Sequence, residues 1–239
     1  MENDLHPTEN RLLGLLPETE LARLKTQLVP VEMTPGFVVY EAGEHLDHVY
    51  FPTTSIVSLR QTMPDGKSAE IAVVGNDGLV GTELFMGDET TTNTAVVQTP
   101  GEAYRLSAPI LKEEFRQAGV MQWLLLRYTL ALFAQIAQTV VCNQYHSTDQ
   151  RLCRWLLLGI DRLPSNEPKV SPELLANALC LRRASTRKAL GQLEDAGVIR
   201  CGDSYIEVLD RRSLENRACE CYRVVKRELD RLLPDLAAP

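Results

Sequence analysis

Residues 171–208 read SPELLANALCLRRASTRKALGQLEDAGVIRCGDSYIEV, and this stretch decides the fold. Ser171 is suited to cap free backbone N–H groups, and Pro172 suits a first helical position, where its missing N–H costs nothing. Leu174, Leu175, Ala178 and Leu179 then share one face. In the following segment Thr186, Ala189, Leu190 and Leu193 recur at i, i+3, i+4 and i+7, so they bury against the first helix. The opposite face carries Ala184, Arg187, Lys188 and Gly191, with Arg182 and Arg183 at its N-terminal entrance. After Gly197, Val198-Ile199-Arg200 and Tyr205-Ile206-Glu207-Val208 flank Gly202-Asp203, a hairpin-type turn pair. The order predicts a winged helix-turn-helix. A basic, short-chained helix face suits the major groove, about 12 Å wide, where Arg or Lys donates to guanine O6 and N7. On a lone helix such a face is ordinary solvated surface. The apolar interlock with a hairpin directly behind it is what points to DNA.

At 239 residues the chain exceeds a typical single domain, and two unequal domains are expected. The net charge of −7 hides a division: residues 1–146 hold 9 Lys+Arg and 18 Asp+Glu, whereas residues 147–239 hold 16 and 14. An acidic first part is a poor partner for nucleic acid. No secretory leader opens the chain, so the six cysteines, Cys142, Cys153, Cys180, Cys201, Cys219 and Cys221, are expected as reduced thiols in the cytoplasm.

Residues 1–10 are polar and expected to fray. From Asn10 to about Leu28 the spacing of Leu12, Leu16, Leu21, Leu24 and Leu28 predicts short helices broken at Pro17. From Val29 to about Leu106 short β-rich runs follow one another: Phe37–Tyr40, His48–Phe51, Ile56–Leu59, Glu70–Val74 and Asn93–Val97. Pro35-Gly36, Ala42-Gly43, Asp65-Gly66 and Pro100-Gly101 punctuate them. Strands without intervening amphipathic helices predict an antiparallel sandwich, roll or small barrel able to enclose a ligand. Val120–Tyr145 reads as one long helix. Arg127, Gln135, Gln138, Asn143 and Gln144 interrupt the uninterrupted apolar run that a membrane span needs. Leu126, Leu130, Phe133, Ala137, Val140 and Gln144 alternate by three and four, the spacing of a pairing seam, so a homodimer interface is expected there. Ser147-Thr148-Asp149-Gln150 ends that helix and caps an amphipathic one over Arg151–Leu163. Asp210–Leu233 is read as a further single helix packed on the DNA-binding part.

A β-rich acidic container, a long pairing helix and a C-terminal winged helix, in that order, resemble the Crp/Fnr superfamily of bacterial transcription regulators. The resemblance spans about Leu13 to Val208 and is most specific in Leu193-Glu194-Asp195-Ala196-Gly197-Val198-Ile199. It implies an α+β chain with a cyclic-nucleotide-binding-like antiparallel β-roll over 1–118, a dimerisation helix over 119–146 and a winged helix-turn-helix over 147–239. By position, Arg183, Ala184 and Lys188 fall where cyclic-AMP receptor proteins read bases, and Arg182 and Ser185 where they touch phosphates. Arg187 is added as a base reader and Arg200 as a phosphate contact. Ala184 replaces the usual Glu, and a methyl group cannot accept from cytosine N4, so the half-site should differ. Cys180 replaces a common turn Gly.

In nucleotide-binding members a Gly-Glu pair holds the ribose and Arg-Ser/Thr-Ala holds the phosphate. Here Gly81-Thr82-Glu83 displaces the Glu by one, and Asn93-Thr94-Ala95 puts Asn93 in place of the Arg, which argues against cyclic-AMP control. Gly81, Glu83, Asn93 and Thr94 are the candidate effector residues. Implied partners are double-stranded DNA carrying an inverted repeat, a second copy of the chain, RNA polymerase and an unspecified small effector; no membrane is expected.

No cofactor or metal is expected. No cysteine precedes Cys142 to build an N-terminal cluster, and His45 and His48 lack companions. Cys219 and Cys221, read as lying in one helix, would point their sulfurs about 200° apart. No nucleophile–base pair, phosphate loop or metal quartet emerges, so an enzyme is not expected. The competing reading is a small-molecule or redox sensor acting through protein contacts.

Overall fold

The computed structural model describes residues 6–87, 89–165, 172–179, 181–202 and 204–234. Ser171, Cys180 and Asp203 lie outside them. Pro7–Glu9 form a 3-10 turn, and Asn10 is fully buried rather than frayed. Its amide donates to Pro52 O at 2.9 Å and Gly78 O at 2.8 Å, while its side-chain oxygen caps α1 (Arg11–Gly14). Helix α2 (Glu18–Lys25) starts directly after Pro17, as the sequence predicts.

Seven strands follow: β1 (Val29–Met33), β2 (Val38–Tyr40), β3 (His48–Pro52), β4 (Ile56–Thr62), β5 (Ser68–Val74), β6 (Thr94–Thr99) and β7 (Gly101–Ser107). They form two antiparallel sheets, ordered β1-β7-β3 and β2-β6-β4-β5. Inward residues such as Val49, Phe51, Val57, Val74, Ala95, Val97 and Leu106 make a common core between them. A short helix, α3 (Glu83–Met86), interrupts the run between β5 and β6, and α4 (Ala108–Arg116) leads out of the sheets.

The long helix α5 (Val120–Tyr145) has 26 residues, about 39 Å of length. Its length and hydropathy suffice to cross a membrane. One face nevertheless packs inside the protein, through Met121, Leu124, Leu125, Tyr128, Ala131, Leu132 and Gln135. Tyr128 lies over Gly78, where an added Cβ would meet the ring at 2.2 Å, and its hydroxyl donates to Leu79 O. Arg127, the one charged residue in the helix, stacks on Trp123 and donates to the carbonyls of Arg231 and Leu232.

Ser147 starts α6 (Thr148–Ile160) with a capping box completed by Gln150. Then come α7 (Pro172–Ala178), α8 (Arg183–Asp195), β8 (Ile199–Cys201) and β9 (Ile206–Val208), the last two pairing antiparallel. The predicted single helix over 210–233 is instead two, α9 (Arg211–Arg217) and α10 (Glu220–Leu232), separated by extended Ala218 and Cys219. Helix α9 packs on α6, but α10 lies chiefly along α5. Because Cys219 precedes the helix, the expected 200° separation of its sulfur from that of Cys221 does not hold.

The β part and the helix-turn-helix part are joined by buried polar contacts. Glu70 accepts from Ser58 Oγ at 2.6 Å and from Trp155 Nε1 at 2.8 Å. Asp77 and Arg162 pair at 2.7 Å, and Gln135 donates to Val73 O while accepting from Arg162. Burial pushes the Glu70 carboxyl up, opposed by its hydrogen bonds. A raised folded-state value means stability falls as pH rises through it. Glu70→Gln retains an acceptor for Trp155 and removes the titration. Relative to this variant, wild type should lose stability as pH rises from acid to neutral, in thermal melts; parallel curves would contradict the burial argument.

Candidate nucleic-acid interface and effector groove

Helix α8 sorts its residues by face. Thr186, Ala189, Leu190 and Leu193 are buried, and the last three share an apolar core with Leu175, Ala178 and Leu179 and with Trp155 and Leu156 of α6. Arg182, Arg183, Ala184, Ser185, Arg187 and Lys188 are all exposed. Arg182, the N-cap of α8, makes no side-chain cap hydrogen bond, and a helix N-terminus of this kind suits a phosphate. At the other end Gly197 at φ +67° stops the helix and turns the chain into β8. Glu194 then accepts from Cys201 N at 2.9 Å, fixing the hairpin to the helix.

The structure thus brings five of the six predicted DNA contacts, Arg182, Arg183, Ser185, Arg187 and Lys188, to one end of one helix. Arg200 sits on β8 and pairs with Glu207 of β9 at 2.7 Å, so its charge is already partnered.

The candidate effector residues are less united. Glu83 and Asn93 line an open groove with Ala42, Gly43, Met86 and Thr90–Thr92. Asn93 Nδ2 donates to Glu83 Oε1 at 3.3 Å and to Thr91 Oγ1 at 2.6 Å, and Tyr40 donates to Asn93 Oδ1. Thr94 instead donates to Glu41, and Gly81, at φ +102°, backs onto Val49. Among the described residues of this groove the charged side chain is the Glu83 carboxylate, with no cation beside it. These residues do not fit a buried phosphodiester, which needs a cationic partner. His45, read as companionless, pairs with Glu89 and Asp47 at the surface.

Sequence reasoning missed the Glu70–Trp155 and Asp77–Arg162 contacts, whose members are 85 residues apart in each case. It also missed Cys142 and His146 as a pair, the first in the last turn of α5 and the second at its C-cap four residues on.

The face of α5 turned from the core carries the predicted seam. Leu126 is 52% exposed, Leu130 50%, Phe133 68% and Val140 65%, and Ala137 is exposed between them.

Two family models match the chain: the cyclic nucleotide-binding domain over residues 30–118 and the Crp-like helix-turn-helix domain over residues 150–217. A CRP-like cAMP-activated global transcriptional regulator of Mycobacterium tuberculosis is 22% identical over 205 residues, covering 83% of this chain and 92% of that protein. FixK2 from Bradyrhizobium japonicum superimposes with a TM-score of 0.68 at 18% identity, covering 80% of this chain and 98% of its own. The c-di-GMP responsive regulator CLP of Xanthomonas campestris gives 0.63 at 15% identity, over 80% and 99%. Both matched domains are regulatory rather than enzymatic, and they occur in the order and on the elements described above. The chain belongs to the Crp/Fnr superfamily of transcription regulators.

Proposed function

We propose that the chain is a cytoplasmic, homodimeric, sequence-specific DNA-binding regulator that reads an inverted repeat. The observation carrying this is the segregation of α8: an apolar face locked into the core, and an exposed N-terminal end holding Arg182, Arg183, Ser185, Arg187 and Lys188. In this reading Arg183, Lys188 and Arg187 address base edges, and Arg182 and Ser185 position phosphates. Arg200 reaches a phosphate only by leaving Glu207. The chain divides into a β-roll sensor over 1–118, a pairing helix over 119–146 and a DNA-binding part over 147–239. The two copies pair through Leu126, Leu130, Phe133, Ala137 and Val140, setting recognition helices about one turn of DNA apart. The effector is a molecule other than cyclic AMP, because Glu83 and Asn93 offer no cation to a phosphate. Contact with RNA polymerase would carry the signal onward.

Arg183→Ala tests the site. It should cost about 1 to 3 kcal/mol on the preferred duplex and little on unrelated sequence, measured by fluorescence anisotropy. An equal loss on all duplexes would remove the base-reading role.

A further inference from the structure

Two helix–helix corners face one another beside α5. His146 ends α5 in extended conformation and Ser147 begins α6; Ala218 ends α9 and Cys219 begins α10, also extended. Between these corners the Sγ atoms of Cys142, Cys219 and Cys221 and a ring nitrogen of His146 all lie within 4.8 Å of one another. Cys142 Sγ is 3.6 Å from Cys219 Sγ, and Cys221 Sγ is 3.4 Å from His146 Nδ1. The three cysteines are buried, and the His146 side chain is 13% exposed.

Zinc bonds to sulfur at about 2.3 Å and to nitrogen at about 2.0–2.1 Å, which puts the corners of its tetrahedron roughly 3.5–3.8 Å apart. The Cys142–Cys219 separation of 3.6 Å falls in that range, and the Cys221–His146 separation of 3.4 Å lies just below it. The surroundings complete the pattern. His146 Nε2 faces Glu220 Oε1 at 3.3 Å, where an Nε2–H can donate, and Nδ1 is turned toward Cys221. Gln138 Nε2 donates to Cys221 Sγ at 3.2 Å, a contact that favours a thiolate. Cys219 is the N-cap of α10 and Cys221 lies in its first turn, where free N–H groups and the helix dipole stabilise negative charge. A dication held by three thiolates and a neutral imidazole carries one net negative charge, which that turn offsets.

We propose that Cys142, His146, Cys219 and Cys221 bind one zinc(II) ion tetrahedrally, pinning the α5–α6 corner to the α9–α10 corner. The thiol protons leave to solvent as the metal enters. Helix α6 packs on α8, so the ion fixes the direction in which the recognition helix leaves the long helix. The site itself stands independently of the DNA-binding proposal.

The test is titration of the full-length, reduced protein with cobalt(II) and then zinc(II), read by absorption. One equivalent of cobalt should produce the intense visible bands of a tetrahedral ion with sulfur-to-cobalt charge transfer, and one equivalent of zinc should bleach them. Cys142→Ser and Cys221→Ser should each weaken binding at least about tenfold, whereas Cys153→Ser and Cys201→Ser leave it unchanged. His146→Cys guards against misfolding as the explanation: it should keep tetrahedral binding and strengthen the charge-transfer band. The proposal is overturned by cobalt spectra of octahedral form, by bands that persist in both serine variants, or by a fully reduced protein that binds neither metal. Each readout is taken without DNA, so its failure leaves the regulator reading untouched.

Discussion

Asp77→Ala should lower stability by about 3 to 5 kcal/mol in urea unfolding. The Arg162 guanidinium meets Asp77 through two nitrogens, Nε at 3.1 Å and Nη2 at 2.7 Å, with 4% of its side chain exposed and 10% of that of Asp77. Removing the carboxylate leaves a charge that burial keeps from water, with Leu158 O and Gln135 Oε1 as its remaining partners. Domains typically hold about 5 to 15 kcal/mol in all, so this is a large share. Asp77→Ala with Arg162→Met removes both charges and should regain most of the loss, because desolvating a buried pair offsets much of its attraction. A single variant within about 1 kcal/mol of wild type would place the pair in solvent. Asp77 follows β5 and Arg162 follows α6, so the same loss should loosen the helix-turn-helix part from the β sheet.

Phe133→Asp should turn a dimer into a monomer and weaken binding to an inverted repeat by about 100-fold or more. Phe133 is 68% exposed in the single chain, so the change costs little in the core. In a two-fold interface, however, the seam of one copy meets the same seam of the other. Two carboxylates then enter an apolar contact, and like charges so placed cost several kcal/mol. The avidity that the proposed pairing gives two recognition helices would be lost with it. Sedimentation of both proteins at equal concentration checks the first step. The seam assignment is wrong if wild type and variant sediment alike.

What was legible in the chain was local. The interlock of Thr186, Ala189, Leu190 and Leu193 follows a 3.6-residue period that needs no distant information, and α5 has the bounds its composition predicts. Strand β1 carries no separate signal because Pro30 breaks its pattern, and it lies at a sheet edge where a proline is tolerated. Strand β7 mixes Glu102 and Arg105 with its buried Ala103, Tyr104 and Leu106. The break at Ala218 and Cys219 carries neither Gly nor Pro, so periodicity ran α9 and α10 together. That one error hid the cysteine–histidine cluster, because Cys219 and Cys221 converge only when the first of them is extended. Contacts such as Glu70–Trp155 join elements far apart in sequence, and no pattern within either segment marks them.

Selection of bound fragments from a random duplex pool, with wild type at several salt concentrations, tests the regulator reading most directly. The expected result is enrichment of an inverted repeat with half-sites about one turn apart, and affinity falling steeply with salt as phosphate contacts release counterions. A pool that stays random, with weak binding that changes little with salt, would contradict it and favour a sensor that works through protein contacts.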